Sequence, residues 1–120
     1  MVTVFIAASL QQFEQANQAE KFAREAGTEV LNPVISLPCH LAPCCYLPIE
    51  LAMLEASDVV WLISKEENAR LRCLVSYAET QHIHIVTSAQ EFVNELSKYE
   101  GYDKQVIMEG VEELGSAPLL

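Results

Sequence analysis

The stretch of sequence that decides the fold is ASDVVWLISKEENARLRCLVSYAETQHIHIV, residues 56–86. Residues 59–63 form an uninterrupted apolar run rich in β-branched side chains, which is typical of a strand buried on both faces. After a polar turn, residues 69–80 repeat apolar side chains every three or four positions, which predicts a helix with one apolar face. Residues 83–86 resume the strand pattern. Because two parallel strands need a crossover connection, this order predicts a right-handed βαβ unit.

The N-terminal part of the chain shows the same alternation of strands and helices. Residues 2–7 and 28–31 predict two more strands, and residues 10–26 between them predict a helix with an apolar face. Ser9 is expected to cap that helix at its start, and Gly27 is expected to end it.

Residues 34–45 are rich in proline and show no regular apolar pattern, so they predict a long loop. Further helices are expected over residues 46–55, 88–99 and 105–114. The 120 residues are therefore expected to form one domain. Its predicted architecture is a three-layer α/β sandwich with a mostly parallel sheet of about four to five strands.

The hydrophobic content and the net charge of the chain disfavour some classes of function. The chain is 51% hydrophobic, which is ordinary for a globular protein. Its formal charge of −10, from 17 acidic and 7 basic residues, disfavours a general role on nucleic acid or on an anionic membrane. No signal peptide precedes the first strand and no apolar run approaches the length of a membrane span. We therefore expect a cytoplasmic protein.

The four cysteines are expected to be free thiols, because no secretory signal is present. A zinc site needs four converging ligands, which commonly arrive as two short pairs, and the spacing here departs from that pattern. We therefore predict neither a metal nor a cofactor. The potential ligands considered are Cys39, His40, Cys44, Cys45, His82 and His84.

A ligand site is expected in the loop after Ile63. Ligands of open parallel sheets bind beyond the carboxyl ends of the strands, and this loop follows a central strand. Three basic residues, Lys65, Arg70 and Arg72, lie in or just after it. They are interpreted either as solvated helix surface or as a site for an anion at a helix N-terminus.

Four short motifs, in order, carry a resemblance to a known family. They are VFIAAS at residues 4–9, GTEVLNP at 27–33, MLEASD at 53–58 and SYAETQHIHI at 76–85. Together they resemble the nucleoside 2-deoxyribosyltransferase-like family of small flavodoxin-like α/β proteins. The resemblance covers residues 2–86 and rests on the order and spacing of the motifs.

The resemblance also implies a chemistry. In that family a glutamate attacks the sugar carbon of a nucleoside or nucleotide and breaks its N-glycosidic bond. The alignment puts Leu74 at the nucleophile, Phe5 at the tyrosine that orients it and Asn68 at the aspartate that holds the sugar hydroxyls. Only Asp58, which opens the third strand, is retained. Leucine cannot attack carbon, so the chain is expected to be a catalytically degenerate member that keeps the fold.

The same resemblance implies a ligand cleft. Its ligand would be a nucleoside, a nucleotide or a sugar phosphate, and the family suggests a homo-dimer or a higher homo-oligomer. Asp58 is the candidate catalytic residue. The residues expected to line the cleft are Ala8, Ser9, Asn32, Asp58, Asn68, Arg70 and Arg72.

Two alternatives remain open. The protein could be an active N-glycosidase or deoxyribosyltransferase that uses a relocated carboxylate, with Glu66, Glu67 and Glu79 as the candidates. It could instead be a non-catalytic interaction or oligomerisation module that uses the apolar segment 37–47 as its contact surface.

Overall fold

The computed structural model describes residues 1–37, 43–63 and 68–113, with the backbone alone at 43, 44 and 111–113. Strands and helices alternate along it, and no helix within these ranges is both long enough and apolar enough to cross a bilayer. The elements are β1 (Thr3–Ala7), α1 (Phe13–Glu25), β2 (Glu29–Leu31), α2 (Pro33–Ser36), α3 (Pro43–Glu55), β3 (Val59–Leu62), α4 (Ala69–Thr80), β4 (His84–Val86), α5 (Ala89–Leu96) and α6 (Lys104–Glu113).

The sheet contains four strands in the order β2-β1-β3-β4, and all of the pairs are parallel. Phe5 of β1 lies opposite Leu31 of β2 on one side and Val60 of β3 on the other. Val60 in turn lies opposite Ile85 of β4. These registers confirm both the βαβ unit over residues 56–86 and the predicted parallel sheet. The strand order reverses direction between β1 and β3, so a crevice opens at the carboxyl ends of those two strands.

One face of the sheet is covered by α1 and α5 around an aromatic cluster. The ring of Trp61 on β3 stacks on Phe92 of α5 with 4.7 Å between centroids. Phe22 of α1 meets the Trp61 ring edge-on at 5.7 Å. Aromatic pairs of this kind favour stacked and edge-on arrangements, so the cluster fixes how both helices lie on the sheet.

The other face is covered by α3 and α4. Successive residues of a strand point to opposite faces, so Phe5 and Val60 face away from the aromatic cluster. They pack against Leu54 of α3 and against Leu71 and Leu74 of α4. Helices therefore lie on both faces of the sheet, which confirms the predicted three layers.

The start of α1 differs from the sequence-based expectation. The helix begins at Phe13, with Gln12 rather than Ser9 in the capping position. Ser9 instead opens a turn, in which its carbonyl oxygen accepts a hydrogen bond from the Gln12 N–H at 3.0 Å. This turn lifts the chain off β1 before the helix starts, and it leaves the Phe13 side chain exposed. Gly27 does end the helix region, with a positive φ of 90°.

The expectation of one long loop over residues 34–45 is wrong at both ends. Pro33 starts the short helix α2, where its fixed φ suits a first helical position, and the Asn32 carbonyl accepts from the Ile35 and Ser36 N–H groups. At the other end, α3 begins at Pro43, earlier than predicted. Residues 38–42 lie outside the described part of the chain.

The aromatic cluster provides a test of this packing. Replacing Phe92 by alanine should lower the free energy of unfolding by about 3–5 kcal/mol, because it removes a buried ring and leaves a cavity. Trp61 is the single tryptophan of the chain and lies against this ring, so its fluorescence can follow urea unfolding. Val106→Ala, at an exposed position on α6, is the control and should change the midpoint little.

Candidate functional site

A cleft lies at the carboxyl end of β1, where the chain turns toward α1, and the start of α4 forms its other side. Its volume is about 440 Å³. The backbone reaches this point through Ala7 and Ala8, whose small side chains are buried. The residues that line the cleft are Ser9, Leu10, Gln11, Asn68 and Arg70.

The guanidinium of Arg70 connects three elements beside the cleft. Its Nη1 donates to the carboxylate Oε2 of Glu50 on α3 at 2.5 Å, and its Nη2 donates to the carbonyl oxygen of Ala8 at 2.5 Å. Its Cζ lies 5.8 Å from the centre of the Tyr46 ring. Arg70 therefore holds the first turn of α4 against α3 and against the end of β1.

Glu50 is the functional-site residue that the sequence reasoning missed. Its side chain is completely buried (0% exposed), and burial raises its pKa above the ordinary glutamate value, although the charge of Arg70 and its hydrogen bond oppose that rise. A signal was present in the sequence. Glu50 lies three residues after Leu47 and four before Leu54, on the apolar face of the helix. A carboxylate in that position predicts a buried cationic partner.

Ser9 lines the cleft, and its hydroxyl oxygen is buried. The residue is 4% exposed, and its Oγ has no hydrogen-bond partner among the described residues. Its own N–H donates to the Gln12 Oε1 at 3.3 Å. Buried hydroxyl groups in native proteins nearly always have a partner. Among the described residues the Ser9 Oγ lacks one, as do Asn32 Oδ1, Glu50 Oε1 and Trp61 Nε1.

The two asparagines expected in the cleft have different positions. Asn68 lines the cleft and caps α4, because its Oδ1 accepts from the Leu71 N–H at 2.8 Å. Asn32 follows β2 and does not line the cleft. Its Nδ2 donates to the Ala16 carbonyl at 3.1 Å and to Glu20 at 3.0 Å, which fastens α1 to the end of β2.

Asp58 and Arg72 lie away from the cleft. Asp58 precedes β3 and therefore sits at the amino edge of the sheet, opposite the edge where the cleft opens. Its Oδ2 accepts from the Thr3 N–H at 2.8 Å, and its own N–H donates to the Thr3 carbonyl at 2.8 Å. Arg72 is exposed on α4. The structure thus brings Ala8, Ser9, Asn68 and Arg70 together and leaves out Asn32, Asp58 and Arg72.

The two other positions matched to family catalytic residues are core positions. Phe5 and Leu74 are both completely buried and belong to the apolar cluster under α3 and α4. Among the alternative carboxylates, Glu79 is exposed near the end of α4, which lies toward the amino edge of the sheet. Glu66 and Glu67, like Lys65, lie outside the described residues.

The potential metal ligands do not converge within the described part of the chain, where no group of three such side chains could hold an ion. Cys45 is exposed and Cys73 is half-buried on α4, and both are free thiols. His84 lies 3.4 Å from the Glu95 carboxylate, at the far side of the sheet. Cys39, His40 and the Cys44 side chain lie outside the described residues.

Comparison with solved structures supports the observed fold. No protein-family model matches the chain, and no curated protein matches it. Among solved structures the chain is similar to a CMP N-glycosidase from Clostridium botulinum, with a TM-score of 0.54 and 14% identity over 81% of this chain and 99% of that one. The likeness establishes the fold. It is a flavodoxin-like α/β fold that a nucleotide N-glycosidase also adopts, as the sequence motifs predicted.

The Arg70–Glu50 pair leads to a prediction about stability and its pH dependence. Arg70→Met should lower the free energy of unfolding near neutral pH by about 3 kcal/mol, because it leaves a buried carboxylate unpaired. Without Arg70 the pKa of Glu50 rises further, so the folded state binds a proton more tightly than the unfolded state. The deficit should therefore shrink as the pH falls toward the ordinary glutamate pKa.

Urea unfolding at several pH values measures this effect. Arg72→Met removes the same charge from an exposed position of the same helix and should change stability little at any pH. The double variant Arg70→Met/Glu50→Gln should recover stability relative to Arg70→Met, and its remaining deficit should no longer depend on pH. Equal losses in Arg70→Met and Arg72→Met would show that the buried pair is not important for the fold.

Proposed function

We propose that this protein binds a nucleoside, a nucleotide or a related sugar phosphate in the cleft beside Ser9 and Arg70, and that it is a catalytically degenerate relative of the nucleoside 2-deoxyribosyltransferase-like proteins. The observation that carries the binding function is Ser9, a residue of the cleft lining whose buried hydroxyl has no partner among the described residues. An unpaired buried hydroxyl costs stability, and a ligand in the cleft would complete its hydrogen bonding once the Ser9 side chain turns toward it.

Arg70 supports the same proposal. A guanidinium carries five N–H donors, and the contacts with Glu50 and Ala8 involve one N–H on each of two nitrogen atoms. The side chain is 18% exposed and lines the cleft. Its remaining donors can serve the oxygen atoms of a sugar, a base or a phosphate. The structural neighbour is named as acting on CMP, which favours a ligand of this chemical class.

The absence of the family's catalysis is supported by what occupies its key positions. Leu74 and Phe5 are buried in an apolar cluster, so neither a nucleophile nor its orienting hydroxyl is available at those places. Glu50 carries a carboxylate beside the cleft. It is fully buried, however, and its Oε2 accepts a hydrogen bond from Arg70. Its Oε1 has no partner among the described residues but is buried too, so neither oxygen is exposed to a sugar carbon in the cleft.

A thermal-shift screen tests the function. The panel consists of ribonucleosides, deoxyribonucleosides, their 5′-monophosphates and sugar phosphates, and each sample is then analysed for free base. We expect one class to raise the melting temperature by linkage, without release of base. Released base would mean that a carboxylate is catalytic after all. No shift with any compound would contradict the binding function.

Ser9→Ala separates a ligand-binding role from a structural role. The change should leave the melting temperature of the free protein unchanged or raise it, because it removes a buried hydroxyl that lacks a partner. It should at the same time reduce the thermal shift with the ligand found in the screen. Ser57→Ala is the matched control. The Ser57 Oγ donates to the Met53 carbonyl at the opposite edge of the sheet, so this change should lower stability and leave ligand binding intact.

We also propose that the protein self-associates, as a dimer at least. Three apolar side chains near the carboxyl edge or on α3 are well exposed, namely Leu10 at 51%, Phe13 at 54% and Ile49 at 39%. Large exposed apolar side chains favour a contact between copies. Light scattering after size exclusion should give at least twice the 13.4 kDa chain mass. Phe13→Ser should shift the mass toward one chain, and a wild-type mass of one chain would contradict self-association.

A further inference from the structure

We infer that Glu50 determines the charge preference of the cleft: by neutralising Arg70 it makes the cleft favour an uncharged nucleoside over the corresponding 5′-monophosphate. The inference rests on the proposed binding function and adds a specificity-determining residue to it. It follows from how the described charges are arranged around the cleft.

The first observation is the geometry of the ion pair. The Arg70 Nη1 and the Glu50 Oε2 are 2.5 Å apart, and Glu50 is completely buried behind the arginine. Opposite charges this close act on a more distant ligand as a dipole and not as a single positive charge. A phosphate in the cleft therefore meets the N–H donors of Arg70 without the full attraction of a free guanidinium.

The second observation is that Arg70 is the one cationic side chain lining the cleft within the described residues. The other lining residues, Ser9, Leu10, Gln11 and Asn68, are uncharged. Arg72 is exposed elsewhere on α4, and Arg24 pairs with Glu20 on α1. The chain as a whole carries a formal charge of −10, which adds a repulsion toward any phosphate.

The third observation concerns the start of α4, because a helix N-terminus is the usual alternative site for a phosphate. Here the Asn68 side chain already accepts the Leu71 N–H at 2.8 Å. One of the first free amides of the helix is therefore occupied by its own cap. What the cleft lining does offer is the Gln11 amide and the remaining guanidinium N–H groups of Arg70, which suit the hydroxyl groups of a sugar and the polar edge of a base.

The experiment compares each nucleoside with its own 5′-monophosphate, by calorimetric titration of the wild-type protein and of Glu50→Gln. Glutamine keeps the size of the side chain and an oxygen acceptor for Arg70, but it removes the compensating charge. In the wild type the nucleoside should bind more tightly than its monophosphate. In Glu50→Gln the affinity for the monophosphate should increase by about tenfold, while the affinity for the nucleoside changes by less than about twofold.

Glu79→Gln is the matched control, since it makes the same change in net charge at an exposed position of α4. It should leave the preference of the wild type unchanged. A wild-type protein that binds the monophosphate more tightly would overturn the inference, and so would a preference that Glu50→Gln fails to alter. If Glu50→Gln does not fold, two measurements on the wild type test the inference instead. They are the order of its affinities for nucleoside and monophosphate, and the salt dependence of its monophosphate affinity. A monophosphate affinity that falls steeply with added salt indicates an uncompensated Arg70 and overturns the inference.

The outcomes also separate this inference from the function on which it rests. If no nucleoside and no monophosphate binds the wild type or Glu50→Gln, the proposed binding function itself is wrong. If both classes bind and the monophosphate binds more tightly, the binding function stands and the role assigned to Glu50 is wrong.

Discussion

The hydrogen-bonded ion pair between Arg70 and Glu50 joins parts of the chain that are far apart in sequence. The arginine also holds the carbonyl oxygen of Ala8, so the end of the first strand, the third helix and the start of the fourth helix meet at one guanidinium. A buried carboxylate needs such a partner, because an isolated charge in the interior is strongly unfavourable. The position of α4 beside the cleft is thus fixed by charge pairing, in addition to the apolar contacts of Leu71 and Leu74.

This pair also explains how the site differs from the chemistry of the family that the motifs resemble. In a glycosyl-transferring site a carboxylate faces the substrate and is oriented by a hydroxyl. Here the carboxylate lies on another helix, faces the protein interior and is held by an arginine. Leu74 and Phe5, which the motif alignment matches to the nucleophile and its orienting tyrosine, are completely buried in the apolar core. The described lining residues of the cleft include polar side chains and a guanidinium but no carboxylate.

The fold could be predicted from the sequence because its signals are local. The apolar run at residues 59–63, the helical spacing after it and the next apolar run together determine a parallel unit, and the structure confirms them. The boundaries near residues 9–12 and 33–36 could not be predicted in the same way. There a turn closed by the Ser9 carbonyl and a four-residue helix started by Pro33 depend on a few backbone hydrogen bonds, which no apolar pattern announces. The site was harder still, since the Glu50–Arg70 contact spans twenty residues. The apolar face of α3 marks Glu50 as buried, but no local pattern identifies Arg70 as its partner. Asp58 shows the opposite difficulty. An aspartate just before a buried strand suggests a catalytic or ligand-binding role, but its carboxylate accepts a hydrogen bond from the Thr3 backbone N–H.

The pairing of Asp58 with Thr3 has a mechanical consequence for the sheet. Both the backbone and the side chain of Asp58 bind Thr3, so the two central strands are joined at their amino ends by two hydrogen bonds. At their carboxyl ends the same strands are paired as well, because Ala7 lies opposite Leu62 and the Ile63 N–H donates to the Ala7 carbonyl at 2.8 Å. The ladder between the two central strands is therefore closed at both ends. The cleft walls can then separate only by movement of the segments that follow the strands, and the sheet itself is a rigid floor beneath them.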